Sequence, residues 1–350
     1  MMDCKIICHS NSSHLSQVFT GFELLHSAGE IALSQECRNR AFFDAAKPQH
    51  LRDARHAHSR VILNHDINLY YDCHDGYEID ETAAGEVDYY FKRSYAESTI
   101  PDTLKPKVFP LGLNYMVFNV TAGRFEKERL SEFQPQSRTA DPPLFQPTVE
   151  NMQAVPNGRA EAEVLFMTRA WDPFDHPERT REKIEERIWI NETRAKCIQL
   201  LRKEFGPRFM GGLQHTDYAV RNFRDALLPS DQSSAQVNYI RLLSLYPICV
   251  ATTGLHRSIG WKLGEYVAFS RAIVTERLYS EVPGDFQSGL NYLEFGAPEF
   301  CLNAVHRLLS DPDLRLRMMQ ANHEYYLAYL KPDVMIRRTL QLALTHQAAG

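Results

Sequence analysis

No apolar run in this 350-residue sequence is long enough to cross a bilayer, and the mean hydropathy is −0.38. The N-terminal stretch from Met1 to Ser13 has a single lysine and a short apolar run broken by Cys8 and His9, which lacks the plan of a secretory leader. No C-x-x-C pair occurs among the seven cysteines (4, 8, 37, 73, 197, 249 and 301), so neither a disulfide framework nor a zinc ribbon is expected. Several sit in apolar contexts, where cysteine serves as a small core residue, and a reduced, cytoplasmic protein follows as the expectation. There is no excess of basic residues. A net charge of −5 and a pI near 6.3 argue against a general nucleic-acid binder. Internal repeats and low-complexity tracts are also lacking, which excludes solenoids.

What remains is an ordinary globular composition, 44% hydrophobic and 24% charged, with enough chain for two or three domains. Lys5 to His9 reads as a buried strand, followed by a polar loop and a helix with Val18, Phe22 and Leu25 on one face. Strands follow at Arg60–Leu63, Ile67–Tyr71, Asp88–Phe91 and Lys107–Gly112. In a parallel sheet, the polar residues after these runs would share the carboxyl edge, where such sheets bind ligands. They are His9-Ser10-Asn11, Asp72 to Asp75, Lys92-Arg93 and Gly112 to Asn114. From about 120 to 160, five prolines among polar residues predict an irregular connection. A second α/β region opens at Glu163–Thr168, with a long charged helix near 188–205, a short strand at Arg208–Met210 and a helix over 234–245. Helices near 299–309, 314–330 and 334–344 close the chain.

The most informative stretch is Tyr246 to Glu276, which reads strand, glycine turn, amphipathic helix, strand. Ile248 to Val250 is β-branched and apolar, Thr252-Thr253-Gly254 breaks it, and Ile259, Leu263, Tyr266 and Val267 then share a helical face. Lys262 and Glu265 lie on the other side. Such βαβ units hold anions where unpaired N–H groups point outward. The same pattern is equally that of a plain core unit with a solvated Lys262–Glu265 pair.

Leu263-Gly264-Glu265-Tyr266-Val267-Ala268, then Ser270-Arg271-Ala272-Ile273-Val274-Thr275, resembles the E-A-M-A helix and G-x-P-V-V-A-S strand of group 1 nucleotide-sugar glycosyltransferases. Arg307-Leu308-Leu309-Ser310-Asp311-Pro312-Asp313-Leu314-Arg315 resembles the L-L-x-D-P-x-L-R segment of that family, and Lys107 to Asn114 resembles the end of its first lobe. The resemblance covers residues 161–330, and the first lobe only in architecture. It implies the GT-B plan: an α/β protein of two Rossmann-like doubly wound lobes with a cleft between them and a C-terminal helix. The implied divisions are an acceptor-side lobe at 1–119, a connection at 120–160, a donor-side lobe at 161–330 and a terminal helix at 331–350.

The implied activity is metal-independent transfer of a sugar from a nucleotide-activated donor, itself a substrate rather than a cofactor, to a glycan or glycoconjugate. Glu265 stands where the family holds the donor ribose, a task suited to a carboxylate facing two hydroxyls. Arg169 stands where the family places a cation on the donor phosphates, a role that Lys262 could share beside the turn at Gly254. One position departs from the pattern. Retaining members carry a glutamate eight residues before the ribose one, and here that place is Arg257, preceded by His256. An inverting enzyme instead needs a general base on the acceptor side, for which Asp75, His74 and His14 are candidates, Asp75 first. His65-Asp66 and Cys73-His74-Asp75 lack metal-ligand spacing, so no metal is expected. Two other classes stay open: a nucleotide-sugar epimerase on the same architecture, and a non-catalytic two-lobed binding protein. Peripheral membrane contact is compatible with the sequence, and nothing in it sets the oligomeric state.

Overall fold

A computed structural model describes residues 1–8, 10, 12–37, 57–119, 147–158 and 163–347. His9, Asn11 and most of the connection expected at 120–160 lie outside the described residues. The chain divides into two units: Met1–Met152 with Ser280–Gly284 and Leu327–Gly350, and Gln153–Tyr279 with Asp285–Tyr326. The described α-helices are α1 (Ser16–Ser27), α2 (Glu81–Glu86), α3 (Arg181–Phe205), α4 (Asp217–Asn222), α5 (Gln236–Leu245), α6 (Trp261–Ala268), α7 (Pro298–Ser310), α8 (Pro312–Tyr325) and α9 (Pro332–Gln347).

The first unit is built on β1 (Met2–Cys8), β2 (Ile31–Cys37), β3 (His58–Leu63), β4 (Ile67–Asp72), β5 (Tyr89–Lys92) and β6 (Val108–Pro110), in the order β2-β1-β3-β4-β5-β6. This sheet is not wholly parallel, as the sequence suggested. β3 runs antiparallel to both β1 and β4, and every other pairing is parallel. The cause is the connection from β3 to β4. Only Asn64, His65 and Asp66 separate the strands, with Asn64 (φ 50°) and His65 (φ 74°) left-handed, and so short a link makes a hairpin rather than a crossover. Because β3 is reversed against both neighbours, β1, β4, β5 and β6 still share one direction, and their carboxyl ends share one edge.

Asp88 to Phe91 was expected as a strand, and the structure places it inside the sheet. This strand, β5, lies between β4 and β6, with Tyr90 and Phe91 fully buried. Below the sheet, α1 packs on α9. Gly21 permits their close approach, since a Cβ there would lie 2.3 Å from the Pro332 carbonyl oxygen. Gln17 Nε2 donates to the Leu330 carbonyl (2.8 Å), and the Tyr71 hydroxyl pairs with Thr339 (2.7 Å), which ties the last helix to this unit.

The second unit holds an all-parallel sheet of β7 (Val164–Thr168), β8 (Phe209–Leu213), β9 (Ile248–Ala251), β10 (Ala272–Glu276) and β11 (Tyr292–Phe295), in the order β11-β10-β9-β7-β8. The chain steps outward from β7 to β8, then returns to place β9 on the other side of β7. That reversal is a topological switch point, and the crevice beyond the carboxyl ends of β7 and β9 is where such sheets receive ligands. The β-branched and apolar strands are buried on both faces, as parallel strands covered by helices must be.

Helix α3 is the key support. Thr180 caps its start by accepting from the Lys183 N–H, and Gly206, at φ 51°, ends it. Its buried stripe runs Arg187, Asn191, Arg194, Ile198, Leu201, Phe205, stepping by fours and threes. The apolar part covers the sheet in the core with Phe166, Val250 and Leu308, and the polar part faces the loops at the sheet edge.

Candidate functional site

The loop after β7 carries Arg169, Ala170 and Trp171. Arg169 is exposed, and its guanidinium carbon lies 3.6 Å from the centre of the Trp171 ring, a cation–π stack that presents the charge along the edge. Asn191 clamps this loop, its side chain accepting from the Trp171 N–H (2.8 Å) and donating to the Trp171 carbonyl (2.7 Å).

Arg194, one turn further along α3, is buried and makes three hydrogen bonds. Nη1 donates to the Arg169 carbonyl (2.7 Å), Nε to the Thr252 hydroxyl (2.9 Å) and Nη2 to the Thr253 carbonyl (2.9 Å). Burial lowers its pKa to about 10, with Glu276 acting in the opposite direction. It remains a cation at neutral pH. Glu276, at the end of β10, closes the other side by accepting from the Thr253 N–H (2.7 Å) and Thr253 hydroxyl (2.9 Å). Burial raises the Glu276 pKa, and these two bonds together with Arg194 oppose the rise.

The turn after β9 is thus held from two sides. Gly254 lets Ser258 approach closely, since a Cβ would lie 2.8 Å from Ser258 Oγ and require that side chain to shift. Its N–H donates to the Ser258 carbonyl (2.8 Å), and the His256 N–H donates to Glu186 of α3 (2.7 Å). With the Thr253 N–H on Glu276, three backbone donors of this turn are engaged within the protein. Positive charge for a ligand here comes from side chains. His256 (φ 60°) and Arg257 (φ 53°) are both left-handed, and Arg257 is exposed with its guanidinium carbon 4.9 Å from the centre of the Tyr279 ring.

Lys262 and Glu265, in the first turns of α6, do not form a solvated pair with each other. Both converge on Tyr239 of α5. The Lys262 ammonium lies 3.9 Å from the ring centre, and the Tyr239 hydroxyl donates to Glu265 Oε2 (2.6 Å). Burial, then the Glu265 charge, raises the Tyr239 pKa well above its ordinary value, so the hydroxyl keeps its proton and orients the carboxylate. Burial also lowers the Lys262 pKa, with Glu265 opposing and Arg194 and Arg169 adding to the fall. The positive charges of Arg194 and Arg169 are thus felt at Lys262, an arrangement suited to an anion. The structure therefore brings Arg169, Gly254, Lys262 and Glu265 to one sheet edge, with His256 and Arg257 flanking the turn.

The first unit gathers a different set. Arg93, whose side chain is almost fully buried, donates through Nη1 to Asp75 Oδ1 (2.5 Å) and to His14 Nδ1 (2.7 Å). Because a guanidinium cannot accept, His14 Nδ1 is the acceptor, which leaves its proton on Nε2. Beneath lies a second pair, Lys92 to Asp72 (2.9 Å), in which Asp72 also accepts from the Tyr90 hydroxyl and the His74 N–H. Lys92, read from sequence as a ligand contact, is fully buried in this pair. Burial lowers the His74 pKa, and its Nδ1 accepts from the Gly76 N–H (3.2 Å). His14, His74 and Asp75 thus share one edge.

Sequence reasoning missed Arg194, Asn191, Glu276 and Tyr239. For the two α3 residues there was a signal: Arg187, Asn191 and Arg194 extend the apolar stripe of Ile198, Leu201 and Phe205, so they had to face inward. Among the described residues no cluster of three or more His, Cys, Asp or Glu could hold a metal, and no helix is long and apolar enough to cross a membrane. None of the seven cysteines forms a disulfide, and burial pushes Cys4, Cys73 and Cys249 up to about 12, which leaves those three as inert packing groups.

No family model and no curated protein matches the chain. Solved structures do. The chain is similar to the C-terminal domain of a glycosyl transferase group 1 family protein (LpcC) from Francisella tularensis, at 12% identity and TM-score 0.35, over 52% of this chain and 97% of that one. It is similar to TarM at 10% identity and TM-score 0.43, covering 74% of this chain and 44% of that one. A further match is a UDP-N-acetylglucosamine 2-epimerase from Listeria monocytogenes, at 15% identity and TM-score 0.39, over 77% of this chain and 62% of that one. Glycosyl transferases of the group resembled in sequence are thus among the structural neighbours.

Proposed function

We propose that the chain is a glycosyltransferase that takes a sugar from a nucleotide-activated donor bound at the second unit and passes it to a glycan or glycoconjugate. The observation that carries this is the meeting of Arg169, Lys262 and Glu265 at the switch point of the second sheet. Two cations beside a carboxylate oriented by Tyr239 suit a diphosphate and a ribose diol respectively. In the reaction the diphosphate leaves with growing negative charge, and Arg169 and Lys262 stabilise it where it forms. Side chains supply that charge, so activity should persist in a chelator such as EDTA.

On the acceptor side, Asp75 is proposed as the general base. Arg93 holds the carboxylate through Oδ1, and in the proposed step this carboxylate takes the proton of the acceptor hydroxyl as that oxygen attacks the sugar. His14, with its proton on Nε2, is a donor that can orient the acceptor rather than deprotonate it. Arg257 stands where retaining relatives carry a glutamate, which favours inversion; the anomeric configuration of the product, read by NMR, decides it. A cytoplasmic setting, contact with a membrane surface and a partner set without nucleic acid belong to the same proposal.

The test is a panel of nucleoside mono- and diphosphates followed by thermal shift. A diphosphate is expected to raise Tm more than its monophosphate, and no shift across the panel would sink the donor site. If a nucleotide-sugar is instead isomerised with no acceptor present, the epimerase reading replaces this one. If Asp75 and Glu265 can both be neutralised without loss of the biological role, the protein is a binding module.

A further inference from the structure

We propose that Arg194 is a positioning residue for the donor diphosphate, setting the separation between the loop that carries Arg169 and the turn at Gly254; this rests on the donor-site reading above. Arg194 is 5% exposed, and its three hydrogen bonds end on both sides of the switch point, one on the Arg169 carbonyl and two on Thr252 and Thr253. β7 and β9 are paired only at Val164–Ile248 and Leu165–Cys249, so sheet hydrogen bonds do not hold the ends of these strands together at the edge. The guanidinium spans that gap.

A planar fork with fixed donor directions can hold two loops at a set distance, which a lysine ammonium cannot reproduce. Arg194 also faces a particular set of charges. Glu276 stabilises it from the far side of Thr253, while Arg169 repels it, and Arg194 in turn helps to lower the Lys262 pKa. It therefore adds positive potential beneath the phosphates without touching them. Asn191 adds a parallel clamp on Trp171, so the β7 loop is fixed at two successive residues of one helical stripe.

Arg202 supplies the control. It lies on the same helix and bridges carbonyls in the same way, through Nη1 to Asp225 and Nη2 to Gly211 (2.9 Å) and Leu227 (2.7 Å). Those bonds brace the β8 side of the unit and reach neither the β7 loop nor the β9 turn. A purely structural role for Arg194 predicts that Arg194→Gln and Arg202→Gln behave alike.

The experiment measures, by calorimetry, the affinity for the nucleoside diphosphate that shifts the wild-type protein most, and for its monophosphate. Arg194→Gln is expected to weaken diphosphate binding roughly 10- to 100-fold, the scale of losing hydrogen bonds to a charged group, and to erase most of the preference for diphosphate over monophosphate. Arg194→Lys keeps the charge but not the fork and should lose about tenfold. Thr252→Val removes one bond at constant shape and should lose about threefold. Arg202→Gln should lower Tm while leaving both affinities within about twofold. The proposal is overturned if folded Arg194→Gln binds diphosphate as the wild type does, or if Arg202→Gln weakens binding as much. Should Arg194→Gln fail to fold, wild-type affinity in both Arg194→Lys and Thr252→Val overturns it. A wild-type protein that binds no nucleoside diphosphate fails the donor reading itself and removes this inference with it.

Discussion

The two sheet edges use buried charge in opposite ways. At the first unit's edge, Lys92 and Arg93 are each bonded to a carboxylate, Asp72 and Asp75, so the charge is compensated where it lies. At the second unit's edge, the buried cation Arg194 is bonded to two carbonyls and a hydroxyl, and Lys262 lies over an aromatic ring. Among the described residues no carboxylate approaches Lys262 within ion-pair distance. Carbonyls and rings orient a cation while leaving its charge largely uncancelled, whereas a carboxylate cancels it. The proposed roles follow this division, with the first edge directing a hydroxyl and a proton and the second receiving phosphate.

The most severe way to break this contrast is to uncompensate the first edge. Asp72→Asn would leave the fully buried Lys92 without its counter-ion and would strip the Tyr90 hydroxyl of its strongest acceptor. Removing one member of a buried pair costs about 3–5 kcal/mol. Chemical denaturation should show that loss in the first unit's transition. If Asp72→Asn is as stable as the wild type, the edge is not compensated as described.

Next in size is Lys262→Met, which removes an ammonium that no carboxylate pairs directly while keeping a long side chain over Tyr239. Diphosphate affinity should fall by about 2–3 kcal/mol, roughly 30- to 160-fold, and stability should rise slightly because burial opposes the lysine charge. Titration calorimetry and a melting curve on one sample read both. A Lys262→Met protein that keeps its diphosphate affinity contradicts the phosphate role.

Glu265→Gln is smaller, because the amide carbonyl still accepts from Tyr239 and only the charge on the proposed ribose contact is lost. About tenfold weaker nucleotide binding is expected, with little change for 2′,3′-dideoxy nucleotides that lack the diol. Equal losses for both nucleotides would mean that Glu265 does not face the ribose.

Much of the fold could be read because its strands are short, β-branched and buried on both faces, and because Gly254 and the Asp311-Pro312 break punctuate clearly. β2 escaped notice since Ile31–Cys37 is an edge strand, and Ser34, Gln35 and Glu36 hide its pattern. The reversal of β3 follows from a three-residue hairpin whose turn residues, Asn64 and His65, were available to read. In the proposed donor site, Lys262, Glu265 and Arg169 were singled out because the motif order resembles a known family. Arg194 and Glu276 were not, since an arginine in a charged helix and a glutamate closing a strand look solvated until packing turns them inward. Charge that holds a loop looks in sequence like charge that meets water.

The gentlest probe of the contrast is pH. Burial holds the folded His74 pKa below 6.5, and its Nδ1 accepts from the Gly76 N–H, a bond that protonation would break. The unfolded chain therefore binds the proton first as pH falls. The stability associated with neutral His74 is complete above about pH 6.5, declines as pH drops through 6.5 toward the lower folded value, and changes no further below that. His74→Gln, whose side-chain carbonyl can accept the same N–H, should flatten that decline and raise Tm at pH 5 by about 1–2 °C relative to the wild type, with no gain at pH 8. A wild-type decline that survives unchanged in His74→Gln would assign the titration elsewhere, to groups other than the compensated edge of the first unit.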